Sequence, residues 1–538
     1  MRLIRTFPAV VLLACSWAWG AGPVMNILDH GARRDGSGPS TDAFRAAIEE
    51  ARKAGGGTVY VPAGNYTTGP IELASNIVLH IDAGATIRFP AQRLPYAPGR
   101  VQGIECLQPV PLIGGTNLEN VAIAGKGIVT TDNAEWVKLM GAPIPASDTT
   151  TGSAFGQPWN DLLTGLQKQT PQPQEVYQKV APLLRPDLIR FKDCKNVTIE
   201  GIHIVGSSFW TIHVLYCQNV AIHDVQQETF PGIFTGGIYI DSSRDIRISD
   251  CLLDNGDDAI TLKAGKDADG LRVGRPTENV AISNCIIHRG SGAIVIGSET
   301  SGMIRNVVVS NIVSRGTQYG INIKSKRGRG GGVENVRIDN MTMEDVGIAI
   351  SVSEFYQMQG DMGLADEPVS VRTPTIRNIS ISRITIDKAR GYPDFSWNPI
   401  TANDAKPPPP ITIQLEGLPE RPIENLHLSE IVSTAEAGLK ASFISGFDLR
   451  NVQVNTRSGP AFLVQDSKDF EMDGVLTRYP LPDAPVIRVE RSPGGSVRNS
   501  RAVAGTGTFL SVPAGELKGL ILESNAIGAA KIVETAAR

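Results

Sequence analysis

Aromatic residues are scarce in this 538-residue chain, at 6%, and histidine is scarcer still, with 7 in all. Glycine is plentiful, at 56, which suits many tight turns better than long helices. A basic excess is missing too: the formal net charge is −4, which leaves no electrostatic footprint for nucleic acid. No Cys or His cluster has zinc spacing. No apolar run after the first twenty residues is long enough to span a bilayer. Cysteine is sparse. Beyond Cys15, the five at 106, 194, 217, 251 and 285 are an odd number, so at least one is unpaired. Four of these recur beside one repeat signature and read as small apolar fillers at stacked positions.

What is present begins with residues 1–20, MRLIRTFPAVVLLACSWAWG, where two arginines precede a short apolar run. This is the pattern of an export signal, with small residues Ala18 and Gly20 placed for cleavage before Ala21. Leu12-Leu13-Ala14-Cys15 also resembles a lipoprotein box, although leucine at 13 is unusual in one.

The remainder is organised by a repeat: Asn or Asp, an aliphatic, any residue, another aliphatic. It starts at Asn76, Asn120, Asn196, Asn219, Asp245, Asn279, Asn306, Asn335, Asn378 and Asn425, with weaker echoes near Phe447, Asp469, Val497 and Leu520. Uninterrupted starts are about 23 to 34 residues apart, the length of one solenoid coil. Aliphatics alternate within each unit, so the segments are strands with one face inward. Stacked coils of this kind predict an all-β fold, a single-stranded right-handed parallel β-helix over 21–538. Recurrent Asn fits its turns because a short amide tolerates left-handed φ and can bond the matching Asn of the next coil. A leucine-rich repeat shares the period but needs a helix-forming half and a Leu skeleton, which these units lack.

Four departures mark candidate walls. An amphipathic helix near 42–54 is expected to cap the first coil. A loop insertion near 137–187, with a short helix at 174–184, interrupts the coils, as do insertions near 353–373 and 390–412.

Gly256-Asp257-Asp258 places two carboxylates side by side at the end of a turn-bounded strand pattern. Such a pair can protonate a leaving oxygen and activate water when neighbours push the two pKa values apart, which points to carbohydrate chemistry. A solvated turn is the competing reading of an Asp-Asp dipeptide, so its surroundings decide.

Those surroundings resemble glycoside hydrolase family 28, the polygalacturonases and their relatives. The segment GARRDGSGPSTDAFRAAIEEARKAGGGTVYVPAGNYTTGPIELASNIVLHIDAGATI is similar to that family's first coil, and RPDLIRFKDCKNVTIEGIHIVGSSFWTIHVLYCQNV to its central coils. The resemblance covers roughly residues 27–390. It implies a right-handed parallel β-helix, inverting hydrolysis of pectic chains and no metal or other cofactor. The motifs match in part. Gly256-Asp257-Asp258 is intact, but Gly236 and Tyr239 stand where the family has acids. Ser291 replaces a His, and Asn322-Ile323-Lys324 keeps the family Lys without its Arg.

By resemblance Asp257 is the general acid, and Asp258 orients or deprotonates the attacking water. The missing carboxylate at 236 impairs that mechanism unless Glu299, Asp241 or Tyr239 substitutes. Asn322 removes a bidentate fork for a carboxylate, which argues for a neutral sugar or a differently placed uronate. Lys324, Asn322, Ser291, Glu299, Tyr239, His213 and Tyr356 are the expected substrate contacts. For His213 an orienting role competes, and for Phe355 and Tyr356 stacking on a sugar competes with burial. Lys326, Arg327 and Arg329 either attract an anionic polymer or decorate a solvated loop. The expected protein is an exported, monomeric glycoside hydrolase of shifted specificity acting on a pectic or related saccharide. Two alternatives remain, a non-catalytic carbohydrate-binding β-helix and a polysaccharide lyase or epimerase on the same fold.

Overall fold

The computed structural model describes residues 22–140, 174–232, 234–356, 368–390 and 411–536, with five positions between 158 and 165. The proposed export signal and most of the insertions near 137–187, 353–373 and 390–412 lie outside the described residues.

The chain winds as a right-handed parallel β-helix in which strands of successive coils pair in parallel from Val24 to Thr535. Each full coil contributes to three stacks. One of them, here the site sheet, runs through Ile189–Lys192, Ile212–Leu215, Ile238–Asp241, Ile260–Lys263, the 294–297 end of a longer strand, and 321–324. Its register puts Ile189, Ile212, Ile238, Ile260, Ile294 and Ile321 in one column, all buried in a continuous aliphatic core. The next column, Arg190, His213, Tyr239, Thr261, Val295 and Asn322, faces the other way, since side chains alternate along a strand.

The repeated Asn closes the turn into a second stack. Asn76, Asn120, Asn196, Asn219, Asn279, Asn306, Asn335, Asn378 and Asn425 all have φ between 53° and 62°. Each amide bonds to the residue one coil away, as from Asn196 to Asn120 at 2.8 Å and from Asn219 to Asn196 at 2.7 Å. Asp245 interrupts the chain because a carboxylate cannot donate. There the Arg247 guanidinium donates to Asn219 instead, at 3.3 Å.

Cysteines 106, 194, 217, 251 and 285 are all free and buried. The last four each donate Sγ–H to the carbonyl two residues earlier, at 3.2 to 3.3 Å, so they act as small turn fillers.

Thr41–Lys53 is an α-helix whose buried face, Ala43, Phe44, Ala47, Ile48 and Ala51, joins the core at the N-terminal end. Two further elements stand off the coils. Tyr96–Val101 and Ile104–Pro109 form an antiparallel hairpin. Its two-residue tip, Gln102-Gly103, has both φ values positive, as a type I′ turn requires. Asp267–Val273 is a short helix beside it, with Asp269 accepting the Glu105 amide at 2.9 Å.

Candidate active site

The acid pair sits on the turn that feeds Ile260–Lys263, where the backbone is pinned from the preceding coil. Asn255 donates to Gln227 and Thr229 at 3.1 Å each, and the Gly256 amide donates to the Thr235 carbonyl at 3.1 Å. Asp257 Oδ1 accepts the Asp258 amide at 2.9 Å, which fixes the Asp257 side chain on the turn. The next coil, Gly290-Ser291-Gly292, packs directly over them. Gly290 has φ 126°, and a Cβ there would lie 2.5 Å from the Asp257 carbonyl; one on Gly292 would lie 3.1 Å from Asp258 Oδ1. Ser291 approaches through its backbone, donating its amide to the Asp257 carbonyl at 3.3 Å.

The neighbours of the two acids differ. Lys324 Nζ stands 3.2 Å from Asp258 Oδ2, and its ammonium lies 4.9 Å from the centre of the Tyr356 ring. Among the described residues Asp257 has no ion-pair partner. Burial, then the charge of Asp258, push its carboxyl up to about 6, against a weaker opposing pull from Lys324. Burial alone would lower the Lys324 pKa, but Asp258, Tyr356 and Asp257 outweigh it and hold the ammonium charged. One carboxyl is therefore set to keep a proton into the mildly acidic range while the other is ion-paired. This asymmetry is what acid/base hydrolysis needs.

Two expected substrate contacts and one possible substitute for the missing acid are corrected by burial. His213 is completely covered, with Nδ1 3.0 Å from Asp187 and Nε2 3.9 Å from Asp241, and it has no surface to offer a sugar. Tyr239 is stacked face to face on Trp210 at 4.1 Å and is almost wholly buried. Asp241 cannot stand in for the missing water-holding acid, because it is fully buried against Arg100 at 2.8 Å. The cover over all three is the hairpin. Val101, Ile104 and Cys106 from it, with Leu162, Val180 and Leu184, pack on Phe209, Trp210 and Tyr239.

Tyr239 also explains the residue at 236. A Cβ built on Gly236 would fall 2.1 Å from the Tyr239 phenol oxygen, so the tyrosine occupies the space of a side chain there. The two departures from the family motif form a single substitution in space.

Arg327 and Arg329 are not solvated loop residues. Arg327 grips Glu420 through two bonds of 2.5 and 2.7 Å, and Arg329 pairs with Asp267 at 3.0 Å. Phe355 is buried, while Tyr356 keeps part of its surface. Asn322 is buried on its strand, level with Val295 and Ser351 of the adjoining coils.

Glu299 makes a close ion pair with Lys263, a residue the sequence reading passed over. Lys263 lies 5.6 and 5.7 Å from the rings of Trp210 and Tyr239. Burial alone would raise the Glu299 carboxyl, but Lys263, Arg329 and Lys266 outweigh it and hold the group well below the usual carboxylate range. The available signal for Lys263 was its place at the end of the strand that begins at the acid pair.

Comparison with known proteins matches residues 176–390, which contain Asp257, Asp258, Lys263, Glu299 and Lys324, to the family model "Glycosyl hydrolases family 28". This match places residues 176–390 in glycosyl hydrolase family 28. A second model, "Rhamnogalacturonase A/epimerase, pectate lyase-like", matches the first coils at 24–91. A probable polygalacturonase of Vitis vinifera is 26% identical over 480 residues, covering 86% of this chain and 85% of its own length. An exo-poly-α-D-galacturonosidase of Dickeya chrysanthemi is 26% identical over 390 residues, covering 67% of this chain and 62% of its own. Among solved structures, the exopolygalacturonase of Thermotoga maritima superposes with a TM-score of 0.67 at 29% identity, covering 78% of this chain and 89% of its own. These matches identify the protein as a glycoside hydrolase. Among the described residues no helix is long and apolar enough to cross a membrane.

Proposed function

We propose that this family 28 enzyme is exported and removes residues from the ends of pectic saccharides by inverting hydrolysis, with Asp257 as general acid and Asp258 as the carboxylate that activates water. The observation that carries this reading is the unequal environment of the pair: Lys324 stands on Asp258, while burial raises Asp257 to about 6. The relatives and neighbours above that are described as acting on polygalacturonate support the substrate class. A side chain at 236 has no room, so water activation rests on Asp258 with fewer helpers than the family motif supplies.

The end-acting mode is supported by the hairpin 96–109. It is anchored by the buried Arg100–Asp241 pair, closes over Phe209, Trp210 and Tyr239, and reaches Lys266 and Glu299 with its tip. A chain laid along the stack meets this wall beside Trp210.

The test is product analysis of reducing-sugar release from pectic polymers and oligosaccharides, by the chain from Ala21 onward and by Asp257→Asn. Monomeric or dimeric products throughout the time course, abolished in the variant, support the reading. A ladder of intermediate oligomers would reject end attack. Activity unchanged in Asp257→Asn would reject the assignment of the acid. Size-exclusion chromatography of the same sample checks the expectation of a monomer.

A further inference from the structure

The charges around the acid pair do not cancel. Four of the basic residues there are matched: Lys324 by Asp258, Lys263 by Glu299, Arg327 by Glu420 and Arg329 by Asp267. Lys266 and Lys326 are half-buried, and among the described residues neither ammonium has an ion-pair partner. Holding two ammonium groups part-way out of water without counter-charges is unfavourable unless a ligand supplies them. Both are held below the usual lysine range, Lys266 at about 8. Burial is the main cause in each case, followed by the charge of Arg329; Glu299 and Asp267 oppose the shift.

Their position is fixed by rigid elements. Lys326 follows Lys324 by two residues, about 7 Å of extended chain, and is bridged to Phe355. Lys266 donates its amide to the Gly103 carbonyl at 2.9 Å. The hairpin tip is so close that a Cβ on Gly103 would lie 2.7 Å from Glu299 Cγ and 2.8 Å from Lys266 Cβ. Glu299 links the two groups of charges, since its field acts on Lys324 as well as on Lys266 and Lys326. The unmatched lysines therefore stand together beside Glu299, between the hairpin tip and Lys324.

We infer that Lys266 and Lys326 form a carboxylate-binding subsite that takes the uronate group of a sugar next to the one being cleaved. The subsite replaces a guanidinium fork at position 322, where Asn322 has no charge to give. The inference rests on the pectic reading above and names where the acidic sugar is held. Two lysines act as point charges, without the planar fit of an arginine. They therefore distinguish a free uronate from its methyl ester more than they fix its orientation.

The test is calorimetric binding of trigalacturonate and of its fully methyl-esterified form to Asp257→Asn, alone and combined with Lys266→Met and Lys326→Met. The expected result is a ten- to hundred-fold weaker Kd for the acid when both lysines are replaced, with binding of the ester unchanged. Lys266→Arg with Lys326→Arg, which keeps the charge, should recover most of the loss and guards against a folding artefact. Kinetics on the Asp257 background should show KM raised and kcat little changed. Affinity for the acid should fall as pH rises through about 8, where Lys266 loses its proton among Lys326, Arg329, Glu299 and Asp267. Equal loss for acid and ester, or none for either, would overturn the subsite. If pectic saccharides are hydrolysed while the Met variants bind the acid normally, this inference fails and the proposed function stands. Lysine-dependent binding of the acid without hydrolysis of any pectic saccharide has the opposite meaning.

Discussion

At the residue scale, Asp257 sets the pH behaviour of the site. A general acid at about 6 is competent below that pH, so the rate should fall on the alkaline side as pH rises through 6. Replacing it with Asn should lower kcat by about a hundred- to ten-thousand-fold. Stability should move the other way. A carboxyl whose folded pKa is raised contributes stability that is fully present below its unfolded value near 3.8 and is lost as pH rises through about 6. Asp257→Asn should therefore melt above the wild type at pH 8 and level with it at pH 4. A second residue-scale prediction concerns the motif position at 236. Gly236→Asp alone should destabilise by at least ~1–3 kcal/mol, because it overpacks against the Tyr239 phenol. Gly236→Asp with Tyr239→Ala should recover much of that loss, and a double-mutant cycle by thermal melting reads the coupling.

At the element scale, the asparagine stack and the hairpin make contrasting demands. Asn306 donates to Asn279 and accepts from Asn335, each at 3.2 Å, with φ 57°. Asn306→Ala should cost about 2–3 kcal/mol through two lost bonds and a strained left-handed turn. Asn306→Gly keeps the turn and should cost about 1 kcal/mol less. Arg100→Ala leaves Asp241 charged and buried, so a loss of about 3–5 kcal/mol is expected, together with longer products once the wall loosens. These two elements also show what a sequence can reveal. The Asn-aliphatic pattern reports a local event, one left-handed turn and one alternating strand, so the coil architecture was legible. The burial of His213 was not, because it depends on a hairpin whose Arg100 meets Asp241 across 141 residues of chain. The acid pair was legible because its members are adjacent. The use of Lys263 was hidden because only the coil geometry brings it to Glu299.

At the scale of the whole molecule, a second buried acid adds to the alkaline limit. Glu354 is fully buried; its Oε2 accepts the Leu418 amide at 3.0 Å, and its Oε1 has no hydrogen-bond partner among the described residues. Burial raises its carboxyl to about 8, with Glu420 adding to the shift. Its stabilising contribution is full below about 4.5 and vanishes as pH rises through 8. Glu354→Gln should flatten the fall of melting temperature between pH 7 and 9, as measured by scanning calorimetry. The stacked thiols lead to a different conclusion. With each Sγ–H spent on a backbone carbonyl and no sulfur bridged among the described residues, the architecture draws nothing from the redox state of its surroundings. The chain from Ala21 onward should fold as well in a reducing cytosol as in an oxidising compartment, and melting curves with and without dithiothreitol should superimpose.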